Sequence, residues 1–176
     1  MTIAAAQLVH VVQGEHAISD HPDTVITTVL GSCVSACLYD PERGIGGMNH
    51  FLLPNTGPTR SDIRYAAAAM EVLVNGLMRR GAVRARLRAK LFGGAHVLTG
   101  LPDIGQLNAQ AACRFLENEG IRLVKGDLGG RQARRIHFWP VIGRVQLRFL
   151  REAQAPRRET PTLPKSGEIE LFYGEP

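Results

Sequence analysis

Three strands in close succession are predicted by residues 24–54, TVITTVLGSCVSACLYDPERGIGGMNHFLLP. The first part is rich in β-branched side chains, which favour extended structure, and a Gly-Ser pair then interrupts it. A second apolar run ends in DPERG, whose residues are typical of a turn, and a third run follows. The predicted strands cover residues 24–30, 33–39 and 45–53, so the last two form a hairpin.

The length of that turn determines how Cys33 and His50 are placed. A two-residue turn with Pro41 and Glu42 at its tip puts the two residues directly opposite each other, with Cβ atoms roughly 5 Å apart. A four-residue loop makes them diagonal neighbours on the same face, at about 7 Å. An odd-length loop with Gly44 in a bulge would separate them.

A thiol beside an imidazole is the arrangement that activates a cysteine nucleophile, because the imidazole takes the thiol proton and stabilises the thiolate. The alternative is structural: a buried cysteine and a hydrogen-bonded histidine that face each other by chance. The spacing of Cys33 and His50 alone leaves both interpretations open. Cys37 and Cys113 are expected to pack in the core, since they and the histidines lack the spacing of a metal site.

The remaining chain predicts two helices and further strands. Apolar residues recur at helical spacing after a capping pattern at Thr59 and Asp62, and Gly81 ends that helix. A second helix is predicted over 105–119, with Gly120 as its stop. Alternating or β-branched runs predict strands at 84–91, 121–125, 134–139 and 144–150. The fold class is therefore α+β, a layered sandwich of mixed or antiparallel sheets flanked by helices.

Composition excludes several classes of protein. The 176 residues are 44% hydrophobic and 21% charged, as in globular proteins, and carry a net charge of +5. No apolar run approaches the roughly 20 residues of a membrane-spanning helix, and the N-terminus lacks the basic start of a secretory signal. Three cysteines are too few for a disulfide framework and suit a reducing cytoplasm. We expect one domain over 1–150 and a proline-rich, flexible tail over 151–176.

Several short stretches resemble the chemoreceptor glutamine deamidases, the CheD family. They occur in the family's order as LGSCV (30–34), LYDP (38–41), GGMNH (46–50), KLFGGA (90–95), DLGG (127–130) and RRIHF (134–138). Members of that family often carry Gly-x-Arg-Asn before the second helix, where this chain has GQLN (105–108). The resemblance implies the layered fold of cysteine hydrolases and a deamidase that needs no cofactor or metal.

The resemblance also implies the site residues. The family's catalytic cysteine, the threonine six residues before it and the histidine seventeen after it correspond to Cys33, Thr27 and His50. Thr27, with Thr28 as the second choice, would orient the imidazole through its hydroxyl group. The small residues Gly31 and Ser32 would leave backbone N–H groups near the sulfur for the oxyanion, and that of Cys33 is the candidate donor.

Partners are also implied. Phe92, Gly93 and Gly94 are candidate substrate or partner contacts. The alternation of Arg84, Arg86 and Arg88 predicts a basic strand face, which is either a solvated surface or one that steers acidic receptor helices. The resemblance further implies cytoplasmic action on receptor helices, a CheC-like phosphatase as a partner, and hydrolysis of receptor methyl esters. Nucleic acid is not expected because no aromatic residues interleave with the arginines. The rival hypothesis is a non-catalytic adaptor or a basic nucleic-acid-binding domain with a structural Cys–His pair.

Overall fold

The structure, a computed structural model, describes residues 6–53 and 60–151, with the backbone alone over 60–64. The predicted capping pattern at Thr59 and Asp62 and the predicted tail beyond Arg151 lie outside the described side chains. Within the described residues the chain forms nine strands and two helices. They are β1 (Gln7–His10), β2 (His16–Ser19), β3 (Thr24–Leu30), β4 (Val34–Asp40), β5 (Ile45–Asn49), α1 (Arg60–Arg79), β6 (Arg88–Gly93), α2 (Ile104–Asn118), β7 (Arg122–Leu128), β8 (Arg134–Trp139) and β9 (Arg144–Phe149).

The strands form two stacked sheets. One has five strands in the order β2-β5-β4-β6-β7, and the other has four in the order β1-β3-β8-β9. Parallel pairing joins β1 to β3 and β6 to β7, and the other neighbours are antiparallel. Both helices pack on the five-stranded sheet. The layers are therefore helices, five-stranded sheet and four-stranded sheet, which confirms the predicted layered α+β class.

Strand β4 is buried along its whole length because it lies between two apolar cores. Val34, Ala36 and Leu38 face the helices, whereas Cys37 and Tyr39 face the four-stranded sheet. A fully buried Leu or Val side chain contributes about 1.5–3 kcal/mol by leaving water. The residue just before this strand is Cys33, which packs against the core between the sheets.

Amphipathic spacing positions the helices as the sequence indicates. Met70, Leu73, Val74 and Leu77 of α1 are buried in the core beneath it. Asp103 caps α2, with its carboxylate accepting a hydrogen bond from the Gln106 N–H at 2.9 Å. Neither helix, within the described residues, is long and apolar enough to cross a membrane.

The predicted strand over 84–91 is wrong in its first half. Arg84–Arg86 is a single 3-10 turn, and β6 begins at Arg88. The Arg86 guanidinium forms hydrogen bonds to both carboxylate oxygens of the fully buried Asp40, at 2.9–3.1 Å, and Arg84 is paired with Glu119. These acidic partners draw the first two arginines away from a common strand face, so the predicted basic strand face does not exist.

Other differences lie at strand ends. The predicted third strand, 45–53, keeps its pairing only to Asn49, apart from an isolated bridge at Phe51. Strands β1 and β2 were not predicted, because their four residues each are mostly exposed or half-buried and show no apolar alternation. Their hydrogen bonds to β3 and β5 come from tertiary pairing.

Candidate active site

Cys33 lies in the bend between β3 and β4, and its backbone is held by the chain that follows β6. The Gly94 N–H donates to the Cys33 carbonyl at 2.8 Å, and the Ala95 N–H donates to the Gly31 carbonyl at 2.9 Å. A Cβ atom on Gly93 would lie 2.1 Å from the Cys33 carbonyl oxygen, and the φ of Gly93 is +107°. Only glycine fits there. The contact allows the two segments to approach closely enough to fix Cys33.

Asn108 of α2 holds the other side of the same bend. Its side chain is fully buried, and its amide nitrogen donates to the Ser32 carbonyl at 2.8 Å. Its amide oxygen accepts from the Leu53 N–H at 2.7 Å. One side chain thus joins the segment that carries Cys33 to the segment that follows His50. Sequence reasoning gave Asn108 no role, although it noted the GQLN stretch that ends on it.

The register of the β4–β5 hairpin brings Cys33 and His50 to the same face. Leu38 pairs with Gly47 and Asp40 with Ile45, so four residues, 41–44, form the loop. Val34 forms an antiparallel bridge with Phe51 in the same register. The wider loop is thus the correct alternative, and the two residues are diagonal neighbours on the face toward the four-stranded sheet.

His50 is a buried imidazole with one hydrogen-bonded nitrogen. The side chain lies between the two sheets, and its Nδ1 is 2.8 Å from the Thr28 hydroxyl oxygen. That hydroxyl donates its single proton to the Val11 carbonyl at 2.6 Å. It can therefore only accept at Nδ1, so the ring proton of neutral His50 sits on Nδ1. The lone pair is left on Nε2, which is buried and has no hydrogen-bond partner among the described residues.

Burial also sets the protonation of His50. Desolvation of the charged form lowers the pKa of this histidine from its ordinary value of 6.5, and the nearby Val11 carbonyl opposes this in part. The backbone of His50 is fixed by the β1–β2 loop, since its N–H donates to Glu15 and its carbonyl accepts from Gly14. The site thus holds a neutral, oriented imidazole with a basic Nε2.

The expectation that Thr27 orients the imidazole is corrected by the structure. The Thr27 hydroxyl donates to the Ile136 carbonyl of the adjacent strand at 2.8 Å, and Thr28 lies at His50 instead. Successive residues of a strand point to opposite faces, so only one of two adjacent threonines can reach an imidazole between the sheets. Thr28, the second choice from the sequence, occupies that position.

Gln13 reaches the cysteine from the loop between β1 and β2. The Cys33 thiol donates to the Gln13 side-chain carbonyl at a sulfur–oxygen distance of 3.8 Å. Gln13 is exposed, and it lines two cavities of about 300 and 240 Å³. The larger cavity also contains Ser32 and His96, and the smaller one contains His50. An exposed amide side chain therefore lies beside the sulfur of the half-buried Cys33.

The other predicted contacts lie in different surroundings. Phe92 is buried between the sheets, so its ring is not a surface contact, and Gly93 and Gly94 support the backbone of Cys33. Arg84 and Arg86 are in ion pairs, and Arg88 is exposed on β6. Cys37 is fully buried in the core, and Cys113 is partly buried on α2. Burial raises the pKa of both of these thiols.

Comparisons with known proteins agree with the sequence motifs. The family described as "CheD chemotactic sensory transduction" matches residues 52–149. A protein of Caulobacter vibrioides named "Probable chemoreceptor glutamine deamidase CheD" is 53% identical over 173 residues, which cover 93% of this chain and 92% of that protein. Proteins of the same name from Acidiphilium cryptum and Agrobacterium fabrum are 51% and 46% identical, covering 95% and 98% of this chain and 94% and 100% of theirs.

Similarity to solved structures is weaker. A Neisseria meningitidis protein aligns with a TM-score of 0.47 at 12% identity, over 70% of this chain and 64% of that one. That value is too low to bear on function. The sequence relatives, by contrast, span nearly the whole length of both proteins. On the matched family and on these relatives, the chain belongs to the CheD family.

Proposed function

We propose that this chain is a protein-glutamine deamidase that converts glutamine side chains of chemoreceptors to glutamate, with Cys33 as nucleophile and His50 as base. The observation that carries the proposal is the hydrogen-bond chain from His50 through Thr28 to Val11, which leaves the basic nitrogen of His50 for a cysteine on the same face. The receptor substrate rests on the names of the relatives.

The first half of the reaction forms a thioester. Nε2 of His50 takes the Cys33 thiol proton, and the sulfur attacks the amide carbon of the substrate glutamine. The tetrahedral intermediate collapses when the C–N bond breaks, and His50 returns the proton to the leaving ammonia. The contact between the thiol and the Gln13 amide supports this approach, since it shows that an amide carbonyl fits beside the sulfur.

The second half hydrolyses the thioester. A water molecule gives a proton to Nε2 of His50 and attacks the acyl carbon, the C–S bond breaks, and the Cys33 sulfur regains the proton. Glutamate is released from the site. Thr28 keeps the imidazole in the orientation that both steps need, because its hydroxyl oxygen accepts a hydrogen bond from the Nδ1–H group and has no proton left to donate to Nδ1.

Both tetrahedral intermediates carry negative charge on oxygen. The Ser32 carbonyl points to Asn108 of α2. The same peptide unit carries the N–H of Cys33, and in a trans peptide the carbonyl and the N–H point in opposite directions. The N–H of Cys33 therefore points away from α2, and we assign it as a donor to the oxyanion. Gly31 and Ser32 leave this part of the bend without bulky side chains. Mutational loss of one such donor costs about 3–4 kcal/mol in other enzymes.

Peptide mass mapping tests the proposal. The protein is incubated with the cytoplasmic fragment of a chemoreceptor, and conversion of glutamine to glutamate is followed at each site. The parent protein should convert defined glutamines, and Cys33→Ala should convert none while it folds normally. A Cys33→Ala variant that works at the parent rate would exclude Cys33 as the nucleophile.

Thiol labelling separates this proposal from the adaptor hypothesis. Iodoacetamide should label Cys33 quickly near neutral pH, and it should label Cys37 and Cys113 slowly because burial raises the pKa of both. Slow labelling of all three cysteines would favour a structural Cys–His pair. Cytoplasmic action, methyl-ester hydrolysis and a CheC-like phosphatase as a partner stay predictions from the family resemblance.

A further inference from the structure

The outer face of the four-stranded sheet carries positive side chains without acidic ones. Strands β1, β3, β8 and β9 contain no Asp or Glu. Alternation along β8 and β9 turns the apolar residues inward, and Ile136, Phe138, Val145 and Leu147 pack in the core between the sheets. The opposite face of the same sheet presents a group that we call the basic face, consisting of Arg135, Arg144, Arg148, His10 and His137.

The three arginines of the basic face have no acidic partner among the described residues. The ion pairs among the described residues involve four other arginines, Arg43, Arg84, Arg86 and Arg134, each paired with an aspartate or a glutamate. Arg135 lies directly opposite Arg148 on the neighbouring strand. Like charges at such positions destabilise a sheet. A bound anionic partner would offset this repulsion.

The basic face adjoins the candidate active site. Arg135 and His10 line the cavity of about 240 Å³ that also contains Thr28 and His50. Burial, together with the neighbouring Arg135 guanidinium, lowers the pKa of His137, so the positive charge of this face comes from its arginines. A negatively charged group on this face would therefore lie in a positive field at the mouth of that cavity.

The surface favours a protein segment over nucleic acid. The Trp139 ring is covered by the Arg144 guanidinium, 4.8 Å from its centroid, so it does not present a stacking platform for bases. From Arg135 to Trp139 the face extends about 13 Å along the strand. That length corresponds to about nine residues of an α-helix. Carboxylates about two turns apart on such a segment could meet Arg148 and Arg144.

We propose that the basic face binds an acidic segment of the protein substrate, next to the glutamine that enters the site at Cys33. This inference rests on the proposed function and adds the substrate's chemical class: glutamines flanked by glutamates or aspartates. It also replaces the predicted basic strand face of Arg84, Arg86 and Arg88, whose first two members are neutralised by acidic partners. Exposed charges of this kind add to both association rate and selectivity.

Peptide binding to an inactive full-length protein tests the surface without requiring turnover. Two fluorescent peptides carry one glutamine each, flanked by glutamates in the first and by serines in the second. Their binding to Cys33→Ala is measured by anisotropy across a salt series. Adding Arg144→Gln and Arg148→Gln should weaken binding of the acidic peptide about three- to tenfold at low salt. Binding of the serine peptide should not change.

A matched control removes two other arginines. Arg88 and Arg122 are exposed cross-strand neighbours on β6 and β7, so Arg88→Gln with Arg122→Gln changes the net charge and the like-charge pairing equally. The control should leave the acidic peptide's affinity unchanged. Equal effects of the two pairs, or no effect of the Arg144 and Arg148 pair, would overturn the proposal.

Two further probes decide the class of partner. The probes are a single-stranded oligonucleotide and phosphatidylserine vesicles. The proposal of a protein partner would be wrong if either probe bound more tightly than the acidic peptide and lost that binding in the variant with Arg144→Gln and Arg148→Gln. Turnover by the parent protein is measured separately. If neither peptide is deamidated, the proposed function fails, whereas the binding result on the basic face still supports or rejects the surface by itself.

Discussion

The hydroxyl oxygen of Thr28 lies 2.8 Å from Nδ1 of His50 and donates its own proton to Val11. A neutral hydroxyl thus takes the orienting position that a carboxylate holds in Ser-His-Asp triads. Unlike a carboxylate, it adds no negative charge that would stabilise the imidazolium. Burial then dominates, and His50 stays neutral and basic in the resting site.

Thr28→Val should lower kcat, whereas Thr27→Val should not. The first variant leaves the Val11 carbonyl and the imidazole without their shared hydroxyl, and loss of a buried hydrogen bond of this kind costs about 1–3 kcal/mol. If the whole cost falls on the transition state, kcat drops roughly five- to 150-fold. The Thr27 hydroxyl donates instead to the Ile136 carbonyl of the adjacent strand and has no hydrogen bond to His50 among the described residues. Steady-state kinetics and the pH profile of kcat are measured for both. Equal losses, or a larger loss with Thr27→Val, would restore Thr27 as the orienting residue.

The stability of the protein should fall in mild acid because of His50. Its pKa is below 6.5 in the native state, so the unfolded chain binds the proton first as the pH falls. The free energy of unfolding should therefore decrease from pH 6.5 toward the native pKa. In the His50→Gln variant this decrease should be smaller. It should not vanish, because the pKa of His137 is also lowered and that histidine still destabilises the protein in mild acid. Urea unfolding from pH 7.5 to 5 measures it, and an unchanged pH dependence in His50→Gln would contradict the assignment.

Gln13→Glu should slow alkylation of Cys33. A carboxylate at the position of the Gln13 amide, 3.8 Å from the sulfur, opposes formation of the thiolate by repulsion. At an exposed site the effect should be about three- to tenfold at low salt, and it should shrink at high salt. Gln13→Met, which has similar size and no charge, is the control and should react at nearly the parent rate. Equal rates for both variants would show that Gln13 does not lie at the sulfur.

Asn108→Ala should reduce both stability and Cys33 reactivity. The variant leaves the Ser32 carbonyl and the Leu53 N–H without their partner, at a cost of about 2–4 kcal/mol. Because the bend that carries Cys33 loses one of its two anchors, alkylation of the folded protein should also slow. Gln110→Ala, on the exposed side of the same helix, should change neither quantity. Urea midpoints and alkylation rates are compared; a stability loss with normal reactivity would limit Asn108 to a structural role.

Local features of the chain were predictable because they depend on neighbours in sequence. Alternation and β-branched residues predicted β3, β4 and β8, and apolar spacing with glycine stops predicted both helices. The hairpin of β4 and β5 also followed, with its register reduced to a choice among turn lengths. The motif around Cys33 and His50 carried the family assignment, since it is a local pattern of residue types.

Contacts between distant segments were not predictable from those patterns. Whether Thr27 or Thr28 reaches His50 depends on which face of β3 meets the other sheet, and both residues suit a strand equally well. Arg86 lies in a 3-10 turn instead of the predicted strand, and there its guanidinium pairs with the buried Asp40, forty-six positions away in sequence. Arg135, Arg144 and Arg148 likewise stay without an acidic partner among the described residues because the strands of the four-stranded sheet contain no Asp or Glu. Periodicity fixes the face of an element, but packing against the other layers determines what that face meets.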